Sequence, residues 1–253
     1  MKRLKHCGKS KILVLCIWIC LISSPVFSQT ESREILVFAG AGMRLPLNDI
    51  GKKFGSLHGI KVLYDFEGSG RLGNKVLVGQ TPDVFIPGSD KWAKILKEKG
   101  YVDNYTPLAF HTPVIITPEE NSNVTCLNDF SNPDNKIVLG DAKACAIGGI
   151  STKIFKKTGL DESAMRVRAR AVTVKQLVLW IEGRNADAAI VWKADAVQSG
   201  KVRIVYIPEE DNIINMIPVC RMAEHNQAAT AYVNYLLSSE GKEIFKEHGF
   251  KVH

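Results

Sequence analysis

Residues 60–79 read IKVLYDFEGSGRLGNKVLVG. An apolar, β-branched run from Ile60 to Phe66 stops at Gly68-Ser69-Gly70, and a helix-like stretch with Leu72 and Val76 on one face follows at once. The same layout occurs upstream in EILVFAGAGMRLPLNDIGKKF (Glu34–Phe54). There a buried-strand run ends in Gly40-Ala41-Gly42, and Leu47, Ile50 and Phe54 recur at helical spacing. DVFIPGSDKWAKILKEKG (Asp83–Gly100) supplies a third strand. Its helix opens at Ser89, carries Trp92, Ile95 and Leu96 on one face and stops at Gly100. Strands alternating with helices in this way predict an α/β architecture, a mainly parallel sheet flanked by helices.

TPVIITP (Thr112–Pro118) is a strand bracketed by prolines, a candidate crossing to a second lobe. A second α/β series follows it. KIVLGD (Lys136–Asp141) is a strand and GISTKIFKKTG (Gly149–Gly159) a helix; RVRARAV (Arg166–Val172) is a half-exposed strand whose arginines form a solvated face. VTVKQLVLWIEG (Val172–Gly183) is the strongest helix, with a capping box expected from Thr173 and Gln176 and an apolar face of Val174, Leu177, Val178 and Ile181. AAIVW and VRIVYIP are further strands, NMIPVCRM (Asn215–Met222) a candidate second crossing, and AATAYVNYLLSS and EGKEIFKEHGF two closing helices. Two lobes with a cleft between them are therefore expected, with residues 29–112 in lobe 1, 113–218 in lobe 2 and 219–253 returning to lobe 1.

Residues 1–28 read differently. Lys2, Arg3, Lys5, Lys9 and Lys11 precede the apolar run ILVLCIWICLI, and Val26-Phe27-Ser28 stands before Gln29. This is the pattern of a secretory signal peptide cleaved near Ser28/Gln29, since the apolar run is well short of the ~20 residues of a membrane span. Cys16 and Cys20 lack the small preceding residue of a lipid-modified cysteine. The whole chain carries +7, but the leader holds five of the 33 basic residues and none of the 26 acidic ones, so the remainder is only +2. That balance gives no electrostatic ground for a nucleic-acid partner. Beyond the leader stand Cys126, Cys145 and Cys220, with no zinc-ligand spacing. Cys145 is a small buried loop residue, a reactive thiol, or half of a disulfide with Cys126.

A strand that runs through Gly/Ser into a helix is a natural anion cradle. The helix N-terminus presents unpaired N–H groups and a partial positive charge, glycine lets the backbone approach closely, and serine adds a hydroxyl. Four candidate cradles are present: Gly40-Ala41-Gly42, Gly68-Ser69-Gly70, Ala146-Ile147-Gly148-Gly149 and the Thr173-Val174 cap. Two from each lobe could close on one small anion. Ser69 is not in a Gly-x-Ser-x-Gly elbow and has no His/Asp partners in recognisable order, so a hydrolase is not expected. His111, His225 and His248 are scattered and are expected to be structural or solvent-facing.

The series resembles the molybdate- and tungstate-binding proteins of ABC importers, within the type II periplasmic binding-protein superfamily, over nearly the whole chain after the leader. FAGAG, FEGSGRL, TPDVFIPGSDKW, GDAKACAIGGIS and ADAAIVWKADAV carry the likeness; EGKEIFKEHGF is common across the superfamily. The resemblance implies a two-lobed fold, no catalysis, no cofactor, and a monomeric periplasmic receptor that binds a tetrahedral oxyanion and presents it to a membrane permease. It places the oxyanion contacts at Gly42, Ser69, Gly148, Val174 and Trp192, three of them backbone N–H donors and Ser69 giving N–H and hydroxyl. Gly42 stands where the family has serine, and Trp192 where tyrosine is usual, an indole N–H in place of a phenol. Arg44 and Arg71 each lie two residues beyond a cradle residue. If either reaches the cleft, its charged fork would suit sulfate, phosphate or a small carboxylate; otherwise both lie on the lobe surface. Glu67 would repel an anion and is expected to point away.

Overall fold

The structure, a computed structural model, describes residues 33–120 and 123–252. The expected signal peptide, residues 1–28, lies outside the described residues. In chain order the first lobe starts with β1 (Arg33–Gly40), α1 (Arg44–His58), β2 (Ile60–Glu67), α2 (Ser69–Leu77), β3 (Val84–Ile86), α3 (Asp90–Glu98) and β4 (Val102–His111). One residue later β5 (Pro113–Pro118) opens a second sheet, followed by β6 (Ile137–Gly140), α4 (Ala146–Thr158), β7 (Val167–Ala171) and α5 (Val174–Glu182). Then come β8 (Ala189–Trp192), α6 (Lys193–Ser199) and β9 (Val202–Tyr206). β10 (Asn215–Met222) rejoins the first sheet, and α7 (Gln227–Leu237) and α8 (Ser239–Glu247) close the chain.

The first sheet has the order β2-β1-β3-β10-β4. Its inner strand β1 is buried on both faces, and the period-two alternation of side chains separates two cores. Ile35, Val37 and Ala39 pack with Leu47, Ile50 and Phe54 of α1 and Tyr232 of α7. Phe38, on the opposite face, packs with Leu72 and Val76 of α2 and Leu96 of α3. The apolar spacing that predicts α1 is thus the stripe it buries, and Gly59 ends it at φ 64°, where its N–H bonds back to Gly55.

β1, β2 and β3 are mutually parallel, whereas β10 runs antiparallel to both β3 and β4. The expected parallel sheet therefore holds for the strands that feed the glycine turns, and the antiparallel half comes from the strands next to the crossings. β4 was not anticipated. Its outer half is polar, and Pro107 interrupts its period. Pro107 lies opposite Pro218 of β10 at a register shift, where two residues without N–H groups are tolerated.

The second lobe is built around β8-β5-β9, all antiparallel to β5, with the parallel pair β6-β7 joined to it by a bridge between Ile137 and Ala188. One core fills it, from Val114, Ile115 and Ile116 of β5 to Ile147 and Ile154 of α4 and Leu177 and Ile181 of α5. The cap of α5 is half of the expected box: Thr173 Oγ1 accepts from Gln176 N at 3.3 Å, with no return bond from the Gln176 side chain among the described residues. Cys126, Cys145 and Cys220 are free thiols, Cys126 exposed and the other two buried, so the Cys126–Cys145 disulfide is not formed.

Candidate ligand-binding site

The ends of β4 and β8, one from each lobe, meet beside the crossing. In lobe 1, β1 ends at Gly40 and the chain turns through a short 3-10 helix, Ala41–Met43, whose Gly42 is exposed. β2 ends at Glu67, and Ser69 is the first residue of α2. β3 ends at Ile86, and Gly88 lies just beyond. The N–H of Gly88 donates to Ser69 Oγ at 2.9 Å. With its oxygen engaged in that way, the Ser69 hydroxyl keeps its own hydrogen to donate. Gly40 and Gly88 approach closely; a Cβ on Gly40 would lie 3.3 Å from Gly88 N.

In lobe 2 the carboxyl ends of β6 and β7 are adjacent, Gly140 pairing with Ala171, and Asp141 N donates to Ala171 O at 2.8 Å. α4 starts beside them. Gly148 packs its backbone onto the end of β6, where an added Cβ would lie 2.5 Å from the carbonyls of Gly140 and Asp141. Its N–H donates to Cys145 O at 3.0 Å, so it is engaged inside the first helical turn. Val174, half-buried, opens α5 just beyond β7. Trp192 ends β8 and precedes α6, and the next residue's N–H ties to the crossing, Lys193 N to Thr112 O at 2.8 Å.

The two faces touch at a residue that the sequence reading set aside. His111, the last residue of β4, has its ring 4.8 Å from that of Trp192 and 5.4 Å from that of Phe250. Its Nε2 lies 3.7 Å from where a Gly88 Cβ would sit, and its Cε1 lies 3.8 Å from the same point on Gly42. Gly42, Ser69, Gly88, His111 and Trp192 therefore form one contiguous group. Gly148 and Val174 lie at the carboxyl ends of neighbouring strands in the second lobe. Gly88 and His111 are additions to the expected set. The sequence signal for His111 is its position two residues before the proline that starts β5. His225 and His248 lie elsewhere, Nδ1 of the first near Met222 O and Nε2 of the second 2.9 Å from Asp49.

The flanking charges are mostly engaged. Arg71 is 80% exposed and sits 3.6 Å from Glu67. Arg44 is exposed, with its guanidinium 4.5 Å above the Phe66 ring. Glu67 and Asp65 are both held by Lys75, at 2.8 and 2.6 Å, and the two carboxylates raise the Lys75 pKa. Burial lowers the His111 pKa to about 4. Burial raises that of Asp195, in the first turn of α6, to about 6, against the pull of Lys175. Burial also pushes the Cys145 thiol up, opposed by the N–H groups of Gly148 and Ile147. Among the described residues no group of three or more His, Cys, Asp or Glu is placed to hold a metal ion. The chemistry on offer is neutral donation to an acceptor.

Two lobes joined by a short crossing, each with strands that run into helix N-termini, define a binding protein of the type II periplasmic class. The chain belongs to the bacterial extracellular solute-binding protein family, which it matches over residues 35–251. It is 26% identical over 232 residues to the molybdate-binding protein ModA of Escherichia coli, covering 88% of this chain and 90% of that one. It is 25% identical over 227 residues to a putative binding protein of Haemophilus influenzae, covering 87% and 91%. The substrate-binding domain of a putative molybdenum ABC transporter from Clostridium difficile superposes with a TM-score of 0.79 at 26% identity, covering 88% of this chain and all of that one. These relatives are binding proteins, and the chain is a solute-binding protein rather than an enzyme.

Proposed function

We propose that the protein is the solute-binding component of an ABC importer. It captures a tetrahedral oxyanion, molybdate or tungstate, between its lobes and delivers it to a membrane permease. In this reading residues 1–28 direct export to the periplasm, residues 29–112 and 219–253 form lobe 1, residues 113–218 form lobe 2, and the receptor works as a monomer. Gly42, Ser69, Gly148, Val174 and Trp192 contact the anion. The observation that carries the reading is the Ser69–Gly88 hydrogen bond, which leaves a serine hydroxyl at a helix N-terminus with its hydrogen free to donate. A pocket of neutral donors favours a fully ionised dianion and disfavours protonated phosphate, whose proton would find no acceptor. The molybdate-binding relatives point to the same ligand class.

One observation favours a second reading. Arg44 stands two residues beyond Gly42, braced on Phe66, where a guanidinium could pair with sulfate, phosphate or a small carboxylate for transport or a sensor. Calorimetric titration of the mature chain with molybdate, tungstate, sulfate, phosphate and small carboxylates decides between them. Molybdate or tungstate binding that survives Arg44→Ala is expected. Indifference to both metal oxyanions, with Arg44-dependent binding of another anion, would replace the first reading by the second.

A further inference from the structure

His111 is only 9% exposed, and its Nδ1 is buried with no hydrogen-bond partner. Leaving a polar atom unpaired in the interior costs free energy, and a bare acceptor lone pair is tolerated better than an orphaned N–H. The ring's proton is therefore assigned to the other nitrogen, Nε2. That nitrogen lies on the edge turned to Gly42 and Gly88, two residues with no side chain to block it, and Gly88 also bonds the Ser69 hydroxyl. The ring packs against those of Trp192 and Phe250. Nearby lysines are turned elsewhere, Lys193 over the Tyr206 ring and Lys251 to Glu209.

We propose that His111 is a specificity-determining residue of this site, donating its Nε2–H from the crossing between the lobes to an oxygen of the bound anion. The inference deepens the oxyanion-receptor reading and rests on it. A neutral imidazole with its proton on Nε2 can only give a hydrogen bond at that edge. It thus complements an oxygen that only accepts, and adds a directional side-chain donor beside the side-chain-free Gly42. Because the ring also touches Trp192, the same residue couples the lobe 1 turns to the end of β8.

The test titrates molybdate, tungstate and sulfate by calorimetry at pH 7.5 into wild type, His111→Phe and His111→Gln. Alongside it, the His111 ring resonances of 15N-histidine-labelled wild type are followed. His111→Phe keeps a ring against Trp192 and Phe250 but removes the donor. It should weaken the best-bound anion about tenfold or more, the range for a hydrogen bond to a charged group. His111→Gln, whose amide can donate, should lose less, and the Nε2–H proton should move downfield on saturation. Should His111→Phe fail to fold, His111→Gln and the resonance decide. Equal affinities in wild type and His111→Phe overturn this inference alone. So does a loss of affinity with an unmoved resonance, which marks a purely structural ring. Wild type that binds none of the three anions overturns the oxyanion reading and this inference together.

Discussion

Ser69 has one hydroxyl with an acceptor already taken and a donor to give. Ser69→Ala is therefore expected to weaken anion binding by about 1.5–3 kcal/mol while leaving unfolding little changed; calorimetry against the best ligand checks it, and unchanged affinity removes Ser69 from the site. Two other residues act on stability through protons, with opposite signs. His111 is held well below the ordinary histidine value, so its proton prefers the unfolded chain, and stability falls as pH drops from about 6.5 towards 4. Asp195 is held above the ordinary carboxylate value, so its proton prefers the folded chain, and stability rises as pH drops through about 6 towards 4. The two slopes oppose each other, each on the order of 1–3 kcal/mol. Urea midpoints at pH 7 and pH 5 should thus be close for wild type. Asp195→Asn should be more stable than wild type at pH 7 and should lose stability on acidification. A wild-type midpoint that drops steeply with no change of slope in Asp195→Asn would remove Asp195 as the compensating group.

At the scale of elements, glycine decides how closely helices seat on strand ends. Gly148→Ala would drive a Cβ to 2.5 Å from two carbonyls, neither of which can yield without moving β6 or α4. A loss of about 2–4 kcal/mol in urea unfolding is expected, in the range of overpacking and above. Gly70→Ala, whose Cβ would meet the Trp92 ring at 3.5 Å or more, should stay near wild type; equal effects would mean that Gly148 is not a seating glycine. The elements legible in the sequence were those with an unbroken period. α1 and α5 bury the stripes their spacing shows, because each faces a single core over its length, and β1 reads as a continuous apolar run because both its faces are covered. β4 was not legible, since Asp103, Asn104 and Thr106 lie on an outer stretch and Val102, Leu108 and Ala109, which reach the core, are not at one strand period. His111 was missed for a related reason. A lone histidine gives no spacing signal, and its meaning comes from Gly42, Gly88 and Trp192, which are remote in sequence. Gly148 was legible as a turn glycine, while the engagement of its N–H by Cys145 depends on the first turn of α4 closing tightly.

For the whole molecule, a ligand that binds only the folded form stabilises it by mass action, about 2.7 kcal/mol at a hundredfold excess over Kd. For a chain of this size that corresponds to a melting shift of roughly 5–10 °C. The shift should persist in Arg71→Ala, whose side chain faces solvent, and a loss there would place Arg71 in the cleft. The crossing itself has an optical consequence. β4 ends at His111 and β5 begins at Pro113, so a single residue, Thr112, separates the last rung of one sheet from the first of the other. Any bend there must change the spacing between the His111 and Trp192 rings, which belong to opposite sides of the joint. A change in that spacing alters the surroundings of the Trp192 indole, so its intrinsic fluorescence becomes an unlabelled goniometer for the joint. Trp92→Phe and Trp180→Phe would silence the other two indoles of residues 29–253, leaving one emitter there whose intensity tracks opening and closing in real time.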